Sequence, residues 1–127
     1  MTSDDNADDL VTLEFLKGVA QRLPDDADVL RAIGDLYTRV GQYERGLETD
    51  RKLVQLCPED SMVWYNLGCS LALVNRRGAA LEALATAVQL GYRDHQWMEQ
   101  DADLRSLRND QQFQELLKRI AAPRSAR

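Results

Sequence analysis

Residues 61–94 read SMVWYNLGCSLALVNRRGAALEALATAVQLGYRD, and the 34 residues before them, 27–60, read ADVLRAIGDLYTRVGQYERGLETDRKLVQLCPED. Laid over one another without a gap, the two stretches share nine identical pairs: Val29/Val63, Gly34/Gly68, Val40/Val74, Leu47/Leu81, Glu48/Glu82, Val54/Val88, Gln55/Gln89, Leu56/Leu90 and Asp60/Asp94. Chance would supply roughly two, since common residues each make up about 5–9% of average composition. A fixed period of this length marks a stacked repeat architecture. Within each copy the apolar residues recur at helical spacing. Val29, Leu30, Ile33, Leu36, Tyr37 and Val40 make one stripe, and Tyr43, Leu47, Val54 and Leu56 a second. In the next copy Val63, Trp64, Leu67, Leu71 and Val74 are followed by Ala80, Leu81, Leu84, Ala87, Val88 and Leu90.

Punctuation separates the stripes. Asp25-Asp26 and Asp60-Ser61 offer N-caps, while Gly41, Asn75-Arg76-Arg77-Gly78 and Gly91 offer turns, and Pro58 ends a helix. Upstream, Leu10, Leu13, Leu16, Ala20 and Leu23 predict a helix over 9–22, closed by Pro24, with residues 1–8 a disordered acidic segment. Downstream, Phe113, Leu116, Leu117 and Ile120 lie at i, i+3, i+4 and i+7 and predict a helix over about 110–121, with residues 122–127 a flexible tail. No stretch alternates with period two, so no strand is expected. Short connections between helices of this length force antiparallel neighbours.

The whole chain has 127 residues and a formal charge of −5, unevenly spread. Met1–Asp28 holds eight acids against Lys17 and Arg22, a net of −6, whereas Ala102–Arg127 holds three acids against six bases, a net of +3. An acidic chain repels nucleic-acid phosphates, and the thin basic end lacks interleaved aromatics, so no nucleic-acid partner is expected. The apolar runs are too short to span a bilayer, and the polar, acidic start lacks the positive and apolar regions of a secretory signal. Both point to a cytoplasmic protein with no membrane partner.

The residues also argue against chemistry. No glycine-rich phosphate loop, GxSxG or HExxH occurs. Cys57 and Cys69 are 12 positions apart and His95 is the single histidine, too few ligands for a Cys/His metal site, so two reduced, buried thiols are expected. No catalytic residue, metal or cofactor is expected.

Trp64, Leu67, Gly68, Ala80 and Ala87 in one copy, and Leu30, Ile33, Gly34, Tyr37 and Pro58 in the other, resemble the signature of the tetratricopeptide repeat family. Pro24 lies 34 residues before Pro58, so helix 9–22 is similar to the second helix of a partial preceding repeat. Residues 90–117, with Trp97-Met98, Asp101-Ala102-Asp103-Leu104 and Phe113, resemble the segment that closes many bacterial arrays of this family. Such a segment is expected to fold Trp97, Met98, Leu104 and Leu107 over Leu84 and Val88. The resemblance implies an all-α fold: a short right-handed α-solenoid of antiparallel helix pairs, with the stack closed at its C-terminal end. It runs as one domain over 9–121: leading helix 9–22, repeats 27–60 and 61–94, cap 95–121. Departures from the pattern include Gly46, Leu53, Tyr92 and above all Asp50, a carboxylate where a large apolar residue is usual. Asp50 is expected to be paired locally with Tyr37, Trp64 or an arginine.

By the same resemblance, the first helix of each repeat lines a concave groove that holds a partner protein. The groove residues would be Asp28, Arg31, Asp35 and Arg39, flanked by Ala32 and Thr38, then Met62, Tyr65, Asn66, Cys69 and Leu73, with Ala72 between. Tyr65, Met62 and Arg31 are the expected anchors, since tyrosine and arginine are favoured at interfaces. Asp28 and Asp35 oppose a clamp for C-terminal carboxylates. The function this implies is a non-catalytic adaptor or scaffold. The alternatives are a homodimer formed through the wide apolar stripe of helix 9–22, and a regulatory subunit of a larger complex.

Overall fold

The computed structural model describes residues 2–122. Met1 and residues 123–127 lie outside them, so the expected tail 122–127 is seen only at Ala122, which is the extended C-cap of the last helix. The architecture is all-α and follows the helical-repeat plan, with helices packed in adjacent pairs. Among the described residues the elements are α1 (Thr2–Arg22), α2 (Ala27–Arg39), α3 (Tyr43–Leu56), α4 (Ser61–Leu73), α5 (Arg77–Gln89), α6 (His95–Gln100), a 3-10 segment (Ala102–Leu107) and α7 (Gln111–Ala121).

The 34-residue period is carried by the helix ends as well as by the apolar stripes. Asp26 accepts from the Val29 N–H at 3.1 Å, Asp60 from Met62 at 2.9 Å and Asp94 from Trp97 at 3.0 Å. Each carboxylate satisfies a donor that the helix start leaves orphaned. The C-terminal ends of α2, α4 and α5 share one solution. Gly41, Asn75 and Gly91 take positive φ, and the next residue's N–H reaches back to the carbonyl of Tyr37, Leu71 or Ala87. This is the Schellman closure, and asparagine is among the few side chains that tolerate its left-handed residue.

The chain divides into two compact units, Met1–Pro58 and Glu59–Arg127. In the first, α2 packs against both α1 and α3. Leu13 of α1 meets Ile33, Leu36 and Tyr37 in a buried cluster, flanked by Leu16, Ala20, Val29 and Val40. The buried Asp50 carboxylate of α3 faces α2: a Cβ at Gly34 would stand 3.2 Å from its Oδ1. Among the described residues no fully buried side-chain polar atom lacks a hydrogen-bond partner.

One expectation for this unit is corrected. Helix α1 begins at Thr2, so residues 2–8 are helical rather than disordered. A tertiary bond holds its early turns. Arg39 of α2 donates from Nε and Nη2 to the two oxygens of Asp9, both at 3.2 Å, while Thr12 Oγ1 donates to the Asp8 carbonyl.

In the second unit α4 and α5 form the tightest pair. A Cβ at Gly68 would lie 2.8 Å from Leu84 Cγ and Cδ2 and 3.3 Å from the Ala80 carbonyl. The missing side chain is what lets the two backbones approach. A second expectation is corrected here. The 3-10 segment packs chiefly against α4, and α7 is the element that meets α5. Met98, Leu104, Leu107 and Phe113 are buried, but Trp97 is 54% exposed. Among the described residues, no helix is long and apolar enough to cross a membrane.

Glycines 68 and 78 should therefore respond oppositely to alanine. Gly68→Ala forces overlap with Leu84 and should cost about 1–3 kcal/mol. Gly78→Ala, whose Cβ meets nothing within 4 Å, should gain a few tenths to about 1 kcal/mol from helix propensity. Urea unfolding of the two variants checks both signs.

Candidate functional site

The face of α4 expected to meet a partner is built around a buried carboxylate from the chain's own C-terminal segment. Asp101 ends α6 and caps the 3-10 segment, accepting the Asp103 N–H on Oδ1 at 3.0 Å. Its Oδ2 accepts the Tyr65 hydroxyl at 2.6 Å and faces the Cys69 thiol at 3.7 Å. Tyr65 and Cys69 are one turn apart on α4, so both point at the same place. Tyr92 closes the arrangement. Its ring stacks on Tyr65 with centroids 4.5 Å apart and planes 8° apart, and its hydroxyl donates to the Asp94 carbonyl at 3.0 Å.

This cluster keeps its donors protonated. Burial, with the neighbouring Cys69 and the hydrogen bond to Asp101, pushes the Tyr65 hydroxyl well above the usual tyrosine range. Burial and then the Asp101 charge push the Cys69 thiol up. Burial pushes Tyr92 up to about 12. Asp101 therefore receives neutral O–H and S–H groups, the charge-assisted kind of hydrogen bond that is shorter and stronger than a neutral pair.

Cys69, Asp101 and Asp103 bring three potential metal-binding atoms within 4.8 Å of one another. The chemistry favours hydrogen bonding over ligation. A metal takes the thiolate, which this setting disfavours, and both Asp101 oxygens already accept protein donors.

The expected groove residues thus separate into two sets. On α2, Asp28 and Asp35 are exposed and Arg31 is half-buried. Arg39 is exposed but engaged: besides Asp9 it pairs with Asp35 at 3.0 Å, and the Asp9 hydrogen bond foremost raises its pKa further. On α4, Met62 is 44% exposed, Asn66 is exposed and Leu73 is half-buried. Tyr65, at 2% exposure, Cys69 and Ala72 are interior, seated with the C-terminal segment. Leu73 lines a shallow depression of about 290 Å³ with Ala102, Asp103, Arg105 and Ser106. The last four residues were not anticipated. The sequence places them in the closing segment, but nothing in it sets them beside Leu73.

No family model matches the chain. It is similar to a chloroplastic protein from Arabidopsis thaliana, 31% identical over 109 residues, which cover 84% of this chain and 32% of that one. It is 41% identical over 69 residues to the Arabidopsis CTR9 homolog, covering 54% of this chain and 6% of that protein. A peroxisomal targeting signal receptor from Eremothecium gossypii is 33% identical over 86 residues, 67% of this chain and 15% of the receptor. The chain thus spans at most about a third of these relatives. With the all-helical paired fold, these likenesses fit a tetratricopeptide-type repeat protein.

Tyr65→Phe removes the shortest donor to a buried carboxylate. It should cost about 1–3 kcal/mol in urea unfolding, because a group left unsatisfied bears its desolvation. The pH dependence has a definite sign. These groups stay neutral in the fold while their unfolded counterparts ionise, from about 9 for the thiol and 10 for the tyrosines. Their contribution is whole below those values and is lost as pH rises, for Tyr92 between about 10 and about 12. Stability measured from pH 8 to 12 should fall with pH, and less steeply in Tyr92→Phe.

Proposed function

We propose that this chain is a non-catalytic protein-interaction module of the tetratricopeptide kind, holding a segment of a partner protein along the first helices of its repeats. The observation that carries the reading is the surface those helices keep: charged on α2 at Asp28, Arg31 and Asp35, and apolar with one amide on α4 at Met62, Asn66 and Leu73. The similarity to proteins named as targeting-signal receptors supports a binding role. Asn66 offers both a donor and an acceptor to a peptide backbone, and Met62 is a flexible apolar contact that adapts to varied side chains.

The anchors differ from the ones expected at first. Tyr65 organises the cap, and the partner-facing part of α4 continues onto Arg105 and Ser106 beside Leu73. Arg39 is tied to Asp9 and Asp35, so it does not present an open fork for a partner's carboxylate. With few exposed anchors, modest affinity follows, since binding must first overcome the cost of association.

The test is site-specific photo-crosslinking in the native host. A photoreactive residue at Asp35, Met62 or Asn66 should trap a common partner, whereas one at Glu82 or Gln89, exposed on α5, should not. Replacing both Met62 and Asn66 by alanine should lower capture at Asp35 about tenfold without changing the unfolding midpoint. Crosslinks that favour α5, or capture indifferent to the double substitution, would sink the reading.

A further inference from the structure

Helix α1 has two apolar faces, and the fold covers one of them. Leu13, Leu16 and Ala20 point into the cluster with α2. On the opposite side, at spacings of four, three and four, stand Val11, Phe15, Gly18 and Arg22, with Ala7 one turn before them. Val11 is 71% exposed and Phe15 is 69% exposed, and Leu10 and Leu23 flank the stripe, both partly open to solvent. An exposed apolar stripe of this kind, bordered by charged residues, ordinarily marks a contact surface.

We propose that this outer stripe is a self-association surface, and that its occupant is α1 of a second copy of this chain, packed antiparallel about a two-fold axis. Three features point to a copy. The first is shape. Gly18 sits mid-helix, where glycine costs about 1 kcal/mol relative to alanine, and a Cβ there would meet nothing within 4 Å. Among the described residues nothing packs into this gap. A two-fold axis midway between positions 15 and 18 lays Phe15 of each protomer on Gly18 of its partner, so the glycine becomes a seat for a large ring. The second is register. The same axis sets Val11 against Arg22 at both ends of the stripe, so the apolar stem of each arginine covers the valine of the partner helix.

The third is charge. Arg22 of one protomer comes to lie over Val11 of its partner, three positions from both Asp8 and Glu14 along that helix, an axial offset of about 4.5 Å on each side. The acidic start of α1 and its basic last turn therefore complement each other only when the helices run antiparallel. Opposed helix dipoles act in the same sense. An isologous contact of this kind is the commonest route to a homo-oligomer. It uses α1, not the faces of α2 and α4 assigned to the partner, so the two readings stand or fall separately.

Sedimentation equilibrium of the full chain from 1 to 300 μM tests it. A monomer–dimer equilibrium in the micromolar range is expected. Phe15→Glu should weaken it at least tenfold while leaving thermal unfolding of the monomer unchanged, because the side chain is exposed. Gly18→Leu is the discriminating variant. It makes the stripe more apolar, so mere stickiness would increase, whereas loss of the seat for Phe15 should weaken the dimer at least tenfold. Asp8→Arg and Arg22→Asp should each weaken association, and the double exchange should restore it. A chain that stays monomeric at 300 μM overturns the proposal. So does a dimer that Gly18→Leu leaves intact or tightens, or one that the double exchange fails to restore.

Discussion

The carboxylate of Asp101 organises the second unit. It caps the 3-10 segment from one oxygen and receives Tyr65 and Cys69 on the other. A buried carboxylate is costly unless paired, and pairing it with two side chains one turn apart on α4 fixes where the C-terminal segment lies. Leu104 and Leu107 are buried, and the stacked rings of Tyr65 and Tyr92 add a second rigid contact. The segment is thus held by a polar anchor set among apolar contacts, an arrangement that specifies one position where apolar contact alone would permit several.

That anchor changes what α4 can offer. A helix whose outward residues are Met62, Tyr65, Asn66, Cys69 and Leu73 reads, by itself, as one continuous binding surface. With Asp101 in place, the inner line of that surface belongs to the fold, while Met62, Asn66 and Leu73 stay at its border. The alanine at 72 and the cysteine at 69 are small because the 3-10 segment comes close. The exposed remainder is narrower, and Ala102, Asp103, Arg105 and Ser106 line the depression beside Leu73.

Most of the fold was legible because it is periodic. The apolar stripes, the aspartate caps at 26, 60 and 94, and the turns at Gly41, Asn75 and Gly91 each depend on neighbours within a few positions. What escaped the sequence depends on pairs that no period relates. Tyr65 and Asp101 are 36 positions apart, and Asp9 and Arg39 are 30 apart. Tyr65 has the chemistry of an interface anchor and of a core hydrogen-bond donor alike, and only the partner decides which it is. The same holds for Arg39, a fork apt for a carboxylate that finds one in its own chain. The early turns of α1 were missed for this reason too. Their composition suggests disorder, but the bond from Asp9 to α2 is tertiary.

The first unit answers the same physical demand in another way. A repeat cannot hide both sides of its helices alone, so each outer helix needs either a cover or a polar outer face. On the C-terminal side, α7 turns Phe113, Leu116, Leu117 and Ile120 inward and leaves Gln112, Glu115, Lys118 and Arg119 outside. Helix α1 does not follow that rule. Its inner face is Leu13, Leu16 and Ala20, and its outer stripe carries Val11, Phe15 and Gly18 beside its charges, where α7 carries polar and charged residues. A glycine that lowers helix propensity, on the same stripe as a phenylalanine that is 69% exposed, is a costly pair. The proposed self-association would offset that cost, because ring and gap stand three residues apart on one stripe, as a symmetric contact between them requires.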